Sequence, residues 1–268
     1  MSWPFDTSEA YITPEHDVER QRARRGLSPE EWRLPSTLVA TFQMDAYERM
    51  LERAGRSSER GNRTYVAGLL DSTRGAADDN PVVVARFSIG APATAAALEQ
   101  MIARGVRDAI VVGAAGSLQP HLPLGALVLV EGAEREDGTS HHYLPAGEVV
   151  SADPELTAQL EECARTRGVD VVRGRSWTID AVYRETVGAI RRHRDAEVAV
   201  VEMEAAATFA VARVRGVRAA LLVAVSDELF GHTWNPAFGE AVYAGALQQA
   251  ADIAMDASVR VAAAQRPD

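Results

Sequence analysis

Cysteine is almost missing. Cys163 is the only one, so the chain can form no intrachain disulfide and no cysteine-based zinc site, and nothing marks an oxidising compartment. Basic charge is in deficit: 28 Lys+Arg stand against 38 Asp+Glu, a net charge of −10. No surplus is left to neutralise phosphates, so nucleic acid is not an expected partner. The densest basic stretch, Arg20 to Arg25, is flanked by acids and reads as a solvated N-terminal helix. No apolar run approaches the roughly 18–20 residues that span a bilayer, so no membrane partner is expected. The opening Met1–Asp6 lacks the basic-then-apolar order of a secretion signal, which makes the cytoplasm the expected location. Neither G-x-G-x-x-G nor G-x-x-x-x-G-K-[ST] occurs. No H-x-x-x-H pair occurs either; His141 and His142 are adjacent, and on a strand they would point to opposite faces, so no metal site is expected.

What is present is an ordinary folding composition, 47% hydrophobic and 25% charged over 268 residues. A chain of this length buries roughly three quarters of its unfolded surface and needs no metal or disulfide to hold a core. Residues 1–35 are polar, broken by Pro4, Pro14, Pro29 and Pro35, and read as an N-terminal extension with one short helix. Residues 36–268 read as a single domain. Strand-like runs are Thr37–Phe42, Val82–Phe87, Asp108–Val112, Ala126–Val130, Val169–Val172, Val198–Val201 and Ala219–Val225. Several are apolar almost throughout, as strands covered on both faces should be. Helical spacing lies between them at Ala93–Arg104, Pro154–Arg167 after a candidate cap at Asp153, Glu204–Arg215 before Gly216, and from Asn235-Pro236 to about Ala264. The alternation predicts a three-layer α/β/α sandwich around a mixed, largely parallel sheet.

Ligands of such sheets collect beyond the carboxyl ends of the strands. Four segments there are expected to be loops: Ser88–Pro92, Gly113–Ser117, Glu202–Glu204 and Ser226-Asp227. Two are small and contain glycine, which lets backbone approach a ligand closely. Two present carboxylates, which suits a polyol or nucleoside-like ligand. An ionised Glu202 or Glu204 would accept hydrogen bonds from two neighbouring hydroxyls, or would sit in the first helical turn where the helix dipole favours acids. Asp227 would donate a proton to a leaving group, or cap the next element. Trp177 and Tyr183 would stack on a planar base, or fill the core.

Taken in order, these segments resemble the nucleoside phosphorylase family, which includes uridine and purine nucleoside phosphorylases and methylthioadenosine-type nucleosidases. The resemblance spans about residues 37–260. It is carried by Val201-Glu202-Met203-Glu204-Ala205-Ala206-Ala207, by Gly113–Pro120 with Leu124–Val128, by Ser88-Ile89-Gly90-Ala91-Pro92, and by Ser226-Asp227, which is similar to the purine branch. The resemblance implies cleavage of the N-glycosidic bond of a purine-type nucleoside through an oxocarbenium-like ribose. Glu204 would hold the ribose hydroxyls, Met203 would pack under the sugar, Glu202 would border the base and Asp227 would protonate or hydrogen-bond purine N7. Gly90, Ala114, Ala115, Gly116 and Ser226 would line the substrate, and Val182 and Tyr183 lie in the base-facing segment Asp180–Glu185. Arg63 falls where a family arginine reaches a neighbouring subunit's phosphate. No cofactor is implied beyond inorganic phosphate as co-substrate, and a homo-oligomer, a dimer or a hexamer of dimers, is.

The chain also departs from the family. The Gly-Asp-Pro-x-Arg loop that brings phosphate is here Phe42–Glu48, with neither glycine nor arginine. Val111 stands at a second arginine position, Ala114 at the phosphate-binding Ser/Thr, and Ser88 at the first glycine of the G-x-G loop. Each lost charged contact would cost about 1–3 kcal/mol of phosphate binding. Two acceptors of the ribosyl group therefore stand open, phosphate or a water oriented by Asp45 or Glu48. A nucleoside-binding protein without catalysis is the third reading.

Overall fold

A computed structural model describes residues 5–55, 69–74, 82–231 and 233–264. Arg63 lies outside the described residues. The strand β1 (Thr37–Thr41) is buried at every position and pairs in parallel with β3 (Val82–Phe87) on one side and β4 (Asp108–Ser117) on the other. Its residues alternate between two cores. Leu38 and Ala40 face the side covered by α4 (Ala91–Ala103) and α8 (Ala205–Arg215), packing with Leu98 and Phe209. Val39 faces the side covered by α3 (Met44–Arg53), α6 (Pro154–Thr166) and α9 (Ala241–Ala264), packing with Met50, Leu160 and Ile253. A strand with helices on both faces has no polar side, which explains the unbroken apolar runs. The expected three-layer arrangement with a mixed sheet is what forms.

The sheet closes on itself in part, which the sequence did not announce. β4 pairs with β9 (Arg218–Glu228), β9 with β5 (Leu127–Glu136), β5 with β7 (Val172–Ile179), β7 with β8 (Val200–Glu202), and β8 back to β4. A third apolar cluster around Leu118, Trp177 and Val201 packs at this closure. The short β2 (Leu69–Arg74) and β10 (Asn235–Pro236) pair antiparallel at the two ends of the sheet.

Several boundaries differ from expectation. Gly113–Ser117 is not a loop but the last half of β4, because β9 and β8 hydrogen-bond it from both sides, with a register shift between Ala115 and Gly116. Ser226-Asp227 likewise belongs to β9. Val169 closes the end of α6, its N–H donating to the Ala164 carbonyl around left-handed Gly168, so the strand there starts at Val172 and runs on to Ile179. Asn235-Pro236 opens no helix: the pair adds to β9, and α9 starts only at Ala241, past left-handed Gly239. His141 and His142 sit in a single helical turn, α5 (Ser140–Tyr143), whose Ser140 backbone N–H donates to Asp137. The N-terminal segment holds two helices, α1 (Pro14–Arg24) and α2 (Pro29–Trp32), and buries Val18, Trp32 and Leu34. Among the described residues no helix is long and apolar enough to cross a membrane, and no cluster of metal-ligating side chains forms.

Candidate active site

β8 ends at Glu202, Met203 follows, and Glu204 takes the N-cap position of α8. The run of small buried residues after it, Ala205 to Ala207, lets α8 pack close against the sheet and holds this turn in place. Two carboxyl groups two residues apart therefore enter one buried turn, 5% and 7% exposed. They do different work. Glu202 Oε2 accepts from the backbone N–H of Glu204 at 2.7 Å and of Ala205 at 2.6 Å, while its Oε1 accepts from Thr178 Oγ1 at 2.5 Å. Thr178 Oγ1 in turn accepts from the Ala206 N–H at 3.0 Å. Glu202 and Thr178 thus satisfy the first donors of α8, groups that have no partner within a helix. Glu202, expected to border the base, lines the cavity, but both its oxygens accept hydrogen bonds from the protein.

Glu204 has a single described backbone partner in Ser88–Pro92, the Gly90 N–H, which donates to Oε1 at 2.7 Å. Gly90 has φ +104°, a conformation that side-chain-bearing residues resist, and this turns its N–H toward the carboxyl group. Burial, reinforced by the neighbouring Glu202, pushes Glu204 up to about 8. Burial raises Glu202 as well, against three donors and a helix N-terminus that all favour its charge. Glu204 is the carboxyl group of the pair with fewer donors from the protein, and so the one with acceptor capacity left for a ligand.

Across the cavity, β9 delivers Ser226 and Asp227, both buried. Ser226 Oγ donates to Asp227 Oδ1 at 2.7 Å, and Trp234 Nε1 donates to Oδ2 at 2.8 Å. Gly116 is packed so closely here that a Cβ would lie 2.3 Å from Leu229 Cδ1 and 3.2 Å from Asp227 Oδ2. The shared cavity is about 1200 Å³. It brings together the expected Ala114, Val182, Tyr183, Glu202, Met203, Glu204, Ser226 and Asp227. Gly90 reaches it through Glu204, and Ala115 and Gly116 stand behind it, the first with its carbonyl 3.2 Å from Ser226 Oγ. Tyr183 is 97% exposed at the rim, whereas Trp177 is fully buried and stacks on His193 at 4.2 Å instead of facing the cavity.

Phe42, Gln43, Met44 and Asp45 line the cavity where β1 gives way to α3, the segment that departs from the family's arginine loop. Sequence reasoning missed Trp234, Phe238 and Tyr243, which wall the cavity from the segment before α9 and from its first turn. The signal was available as three aromatics within the fifteen residues that follow the strand end of Ser226-Asp227. Burial, with the charges of Asp45 and Asp227, pushes the Tyr243 hydroxyl up to about 12, so it remains a donor throughout the physiological range. Glu185 was missed too, although its segment was singled out.

A family model described as the phosphorylase superfamily matches residues 44–260. The chain belongs to this superfamily. Among curated members, a uridine phosphorylase of Haemophilus influenzae is 30% identical over 176 residues, 58% of this chain and 70% of that one. A guanosine phosphorylase of Halorubrum lacusprofundi is 30% identical over 152 residues, 57% of this chain and 63% of that one. A uridine phosphorylase of Thermococcus kodakarensis is 32% identical over 177 residues, 60% and 61% of the respective lengths. The last two matches span less than two thirds of those relatives. In solved structures, a purine nucleoside phosphorylase of Toxoplasma gondii in complex with immucillin-H superposes with a TM-score of 0.75 at 20% identity, covering 89% of this chain and 95% of that one. At that identity the likeness is one of fold. Superfamily membership agrees with the resemblance drawn from the motifs, and the relatives named for uridine and for guanosine leave the base open.

Proposed function

We propose that the protein cleaves the N-glycosidic bond of a purine-type nucleoside. The observation that carries this reading is the pair of carboxyl groups, Glu204 and Asp227, placed on different strand ends of one cavity. Glu204 accepts hydrogen bonds from the ribose 2′- and 3′-hydroxyls, which draw it into its ionised form. Met203 packs beneath the sugar. As the C1′–N9 bond lengthens, positive charge spreads over the ribose ring, and the nearby carboxylate stabilises it. Asp227 hydrogen-bonds or protonates N7, so the base leaves without full negative charge. An oxygen of the acceptor completes the bond to C1′.

Phosphate as acceptor is supported by the names of the superfamily relatives, with Arg63 of a second copy as its cation. Water as acceptor is supported by Asp45 in the lining stretch Phe42–Asp45, which holds no cation, the cavity's described cations Arg191 and Arg194 coming from α7 (Val187–Asp195). An acidic wall repels phosphate and polarises water. Assembly of copies belongs to the same reading: Ile89, Tyr183, Val187, Trp234 and Phe238 leave apolar surface exposed around the cavity, which a second copy would cover. So does the division into an N-terminal extension and a catalytic domain, supported by a family match that starts at residue 44.

The test is incubation of the pure protein with guanosine, inosine, adenosine and uridine, with and without phosphate, following base release. Release that needs phosphate supports phosphorolysis, and release without it supports hydrolysis. Binding without release in either condition overturns the enzymatic reading and leaves a nucleoside-binding protein.

A further inference from the structure

The helix α7 supplies Val187, Ile190, Arg191 and Arg194 to the cavity wall, yet only two of its residues are buried, Ala189 and His193. Alanine offers little surface to hold a helix by, so the anchor of this wall is His193. Its ring stacks on Trp177 of β7, with centroids 4.2 Å apart and planes 18° from parallel. Two carboxylates of β5 flank it. Nδ1 lies 2.9 Å from Glu134 Oε2 but outside hydrogen-bond geometry, and Nε2 lies 3.4 Å from Glu136 Oε1. Each carboxylate has its own arginine, Arg175 at 2.8 Å from Glu134 and Arg192 at 2.8 Å from Glu136. Arg192 Nη2 is also 3.3 Å from His193 Nε2. The ion pairs are therefore complete without a charge on the imidazole, and what the ring supplies is its stacked face. Trp177 is fixed in turn by donating its indole N–H to Glu136 Oε2 at 3.0 Å.

Resting on the nucleoside-cleavage reading, we infer that His193 is a positioning residue: stacked on Trp177, it sets the distance between the α7 wall and the turn that carries Glu202 and Glu204. The connection runs through the end of β7. Successive residues of a strand point to opposite faces, so Trp177 is turned to α7 while Thr178 is turned to α8. Thr178 Oγ1 donates to Glu202 Oε1 and accepts from the Ala206 N–H. One strand end thus holds the wall helix with one side chain and the acid turn with the next. His193 is not among the residues that line the cavity, so it acts on a ligand only through where it holds α7. Glu204 and Asp227 stand on other elements, at the start of α8 and on β9, and keep their own hydrogen bonds. Loosening α7 therefore costs grip on the ligand rather than the chemical step.

The experiment compares wild type, His193→Ala and His193→Phe in three measurements. These are amide hydrogen exchange without ligand, calorimetric affinity, and steady-state kinetics, the last two on whichever of guanosine, inosine, adenosine and uridine wild type binds tightest. Phenylalanine keeps a flat ring to stack on Trp177, and alanine removes it. His193→Ala is expected to speed exchange across residues 189–195 while Ala205 to Ala207 stay protected. It should also weaken the nucleoside and raise KM by about tenfold, as displaced binding groups do, with kcat held within about twofold. His193→Phe is expected to recover most of both losses, which a task for the imidazole nitrogens would not allow. Unchanged exchange in α7, exchange that rises alike throughout the chain, a fall in kcat at unchanged affinity, or a phenylalanine variant no better than alanine each overturns the assignment. Exchange and affinity stand apart from turnover: wild type that binds a nucleoside without releasing base refutes the cleavage reading, and those two measurements still decide the role of His193. A wild type that binds none of the four nucleosides overturns both.

Discussion

Replacing Glu204 by glutamine should make the protein more stable while abolishing its proposed activity, and the size of the gain should depend on pH in one direction. In the unfolded chain a glutamate releases its proton near 4.5, whereas in the folded, empty cavity Glu204 holds it to about 8. Between those values the unfolded state is the one that has lost the proton, so rising pH favours unfolding. At pH 7 the gap is about 2.5 pK units, and at about 1.4 kcal/mol per unit the buried acid costs the wild type about 3 kcal/mol. Near pH 5 the same arithmetic leaves under about 1 kcal/mol. Glutamine has no proton to lose, is nearly the same shape, and keeps an acceptor for the Gly90 N–H. Thermal melts of both proteins should then show Glu204→Gln higher by about 6–12 °C at pH 7, at about 2–4 °C per kcal/mol for a chain of this size, with the difference collapsing by pH 5. A variant that melts at or below wild type at pH 7, or a gain that does not shrink with acid, would refute the claim that Glu204 is a strained acid held ready for a ligand. Ribose affinity measured on the same samples should fall at least about tenfold, the loss expected when a charged acceptor is removed.

Asp227→Asn should lower kcat on a purine nucleoside by about 10²–10⁴-fold, the usual worth of a positioned general acid, with little change in melting temperature; unaltered turnover would end its assigned role. Trp234→Phe removes the indole donor at 2.8 Å from Asp227 Oδ2 and frees that oxygen for the base, so kcat/KM should rise a few-fold, about 2–10; a fall would mean that the indole serves the substrate directly. Gly116→Ala drives a methyl group into Leu229 and toward Asp227, which should cost about 1–3 kcal/mol of stability and reduce turnover; a variant matching wild type in both would show that the strand crossing has slack.

The fold was legible where a residue's neighbours in sequence decide its state. Asp153 caps α6, Gly216 ends α8 in the left-handed conformation, and the doubly covered β1 is buried at every position and apolar at its three central ones, all from local pattern. What local pattern hides is pairing with distant strands. Gly113–Ser117 looks like a flexible turn because it is small, yet it is small because β8 and β9 close on it from both sides. The site shows the same division. The placement of Glu204 and Asp227 in one cavity followed from motif order, but the separate duties of Glu202 and Glu204 did not, because Thr178, which decides them, lies 24 residues upstream of Glu202.

The closed circuit of five strands gives the cavity a property that an open sheet would lack. Glu202 and Asp227 stand on members of a cycle, so the separation between their strand ends is fixed by two routes, one direct through β4 and one the long way through β7 and β5. Loosening either route alone leaves the other to keep the spacing, and no free margin inside the cycle can peel away. Such a cycle is also all or nothing during synthesis: until β9 has emerged there is no ring to close, and a ribosome-bound chain ending before residue 218 holds one of the two acids with nothing opposite it.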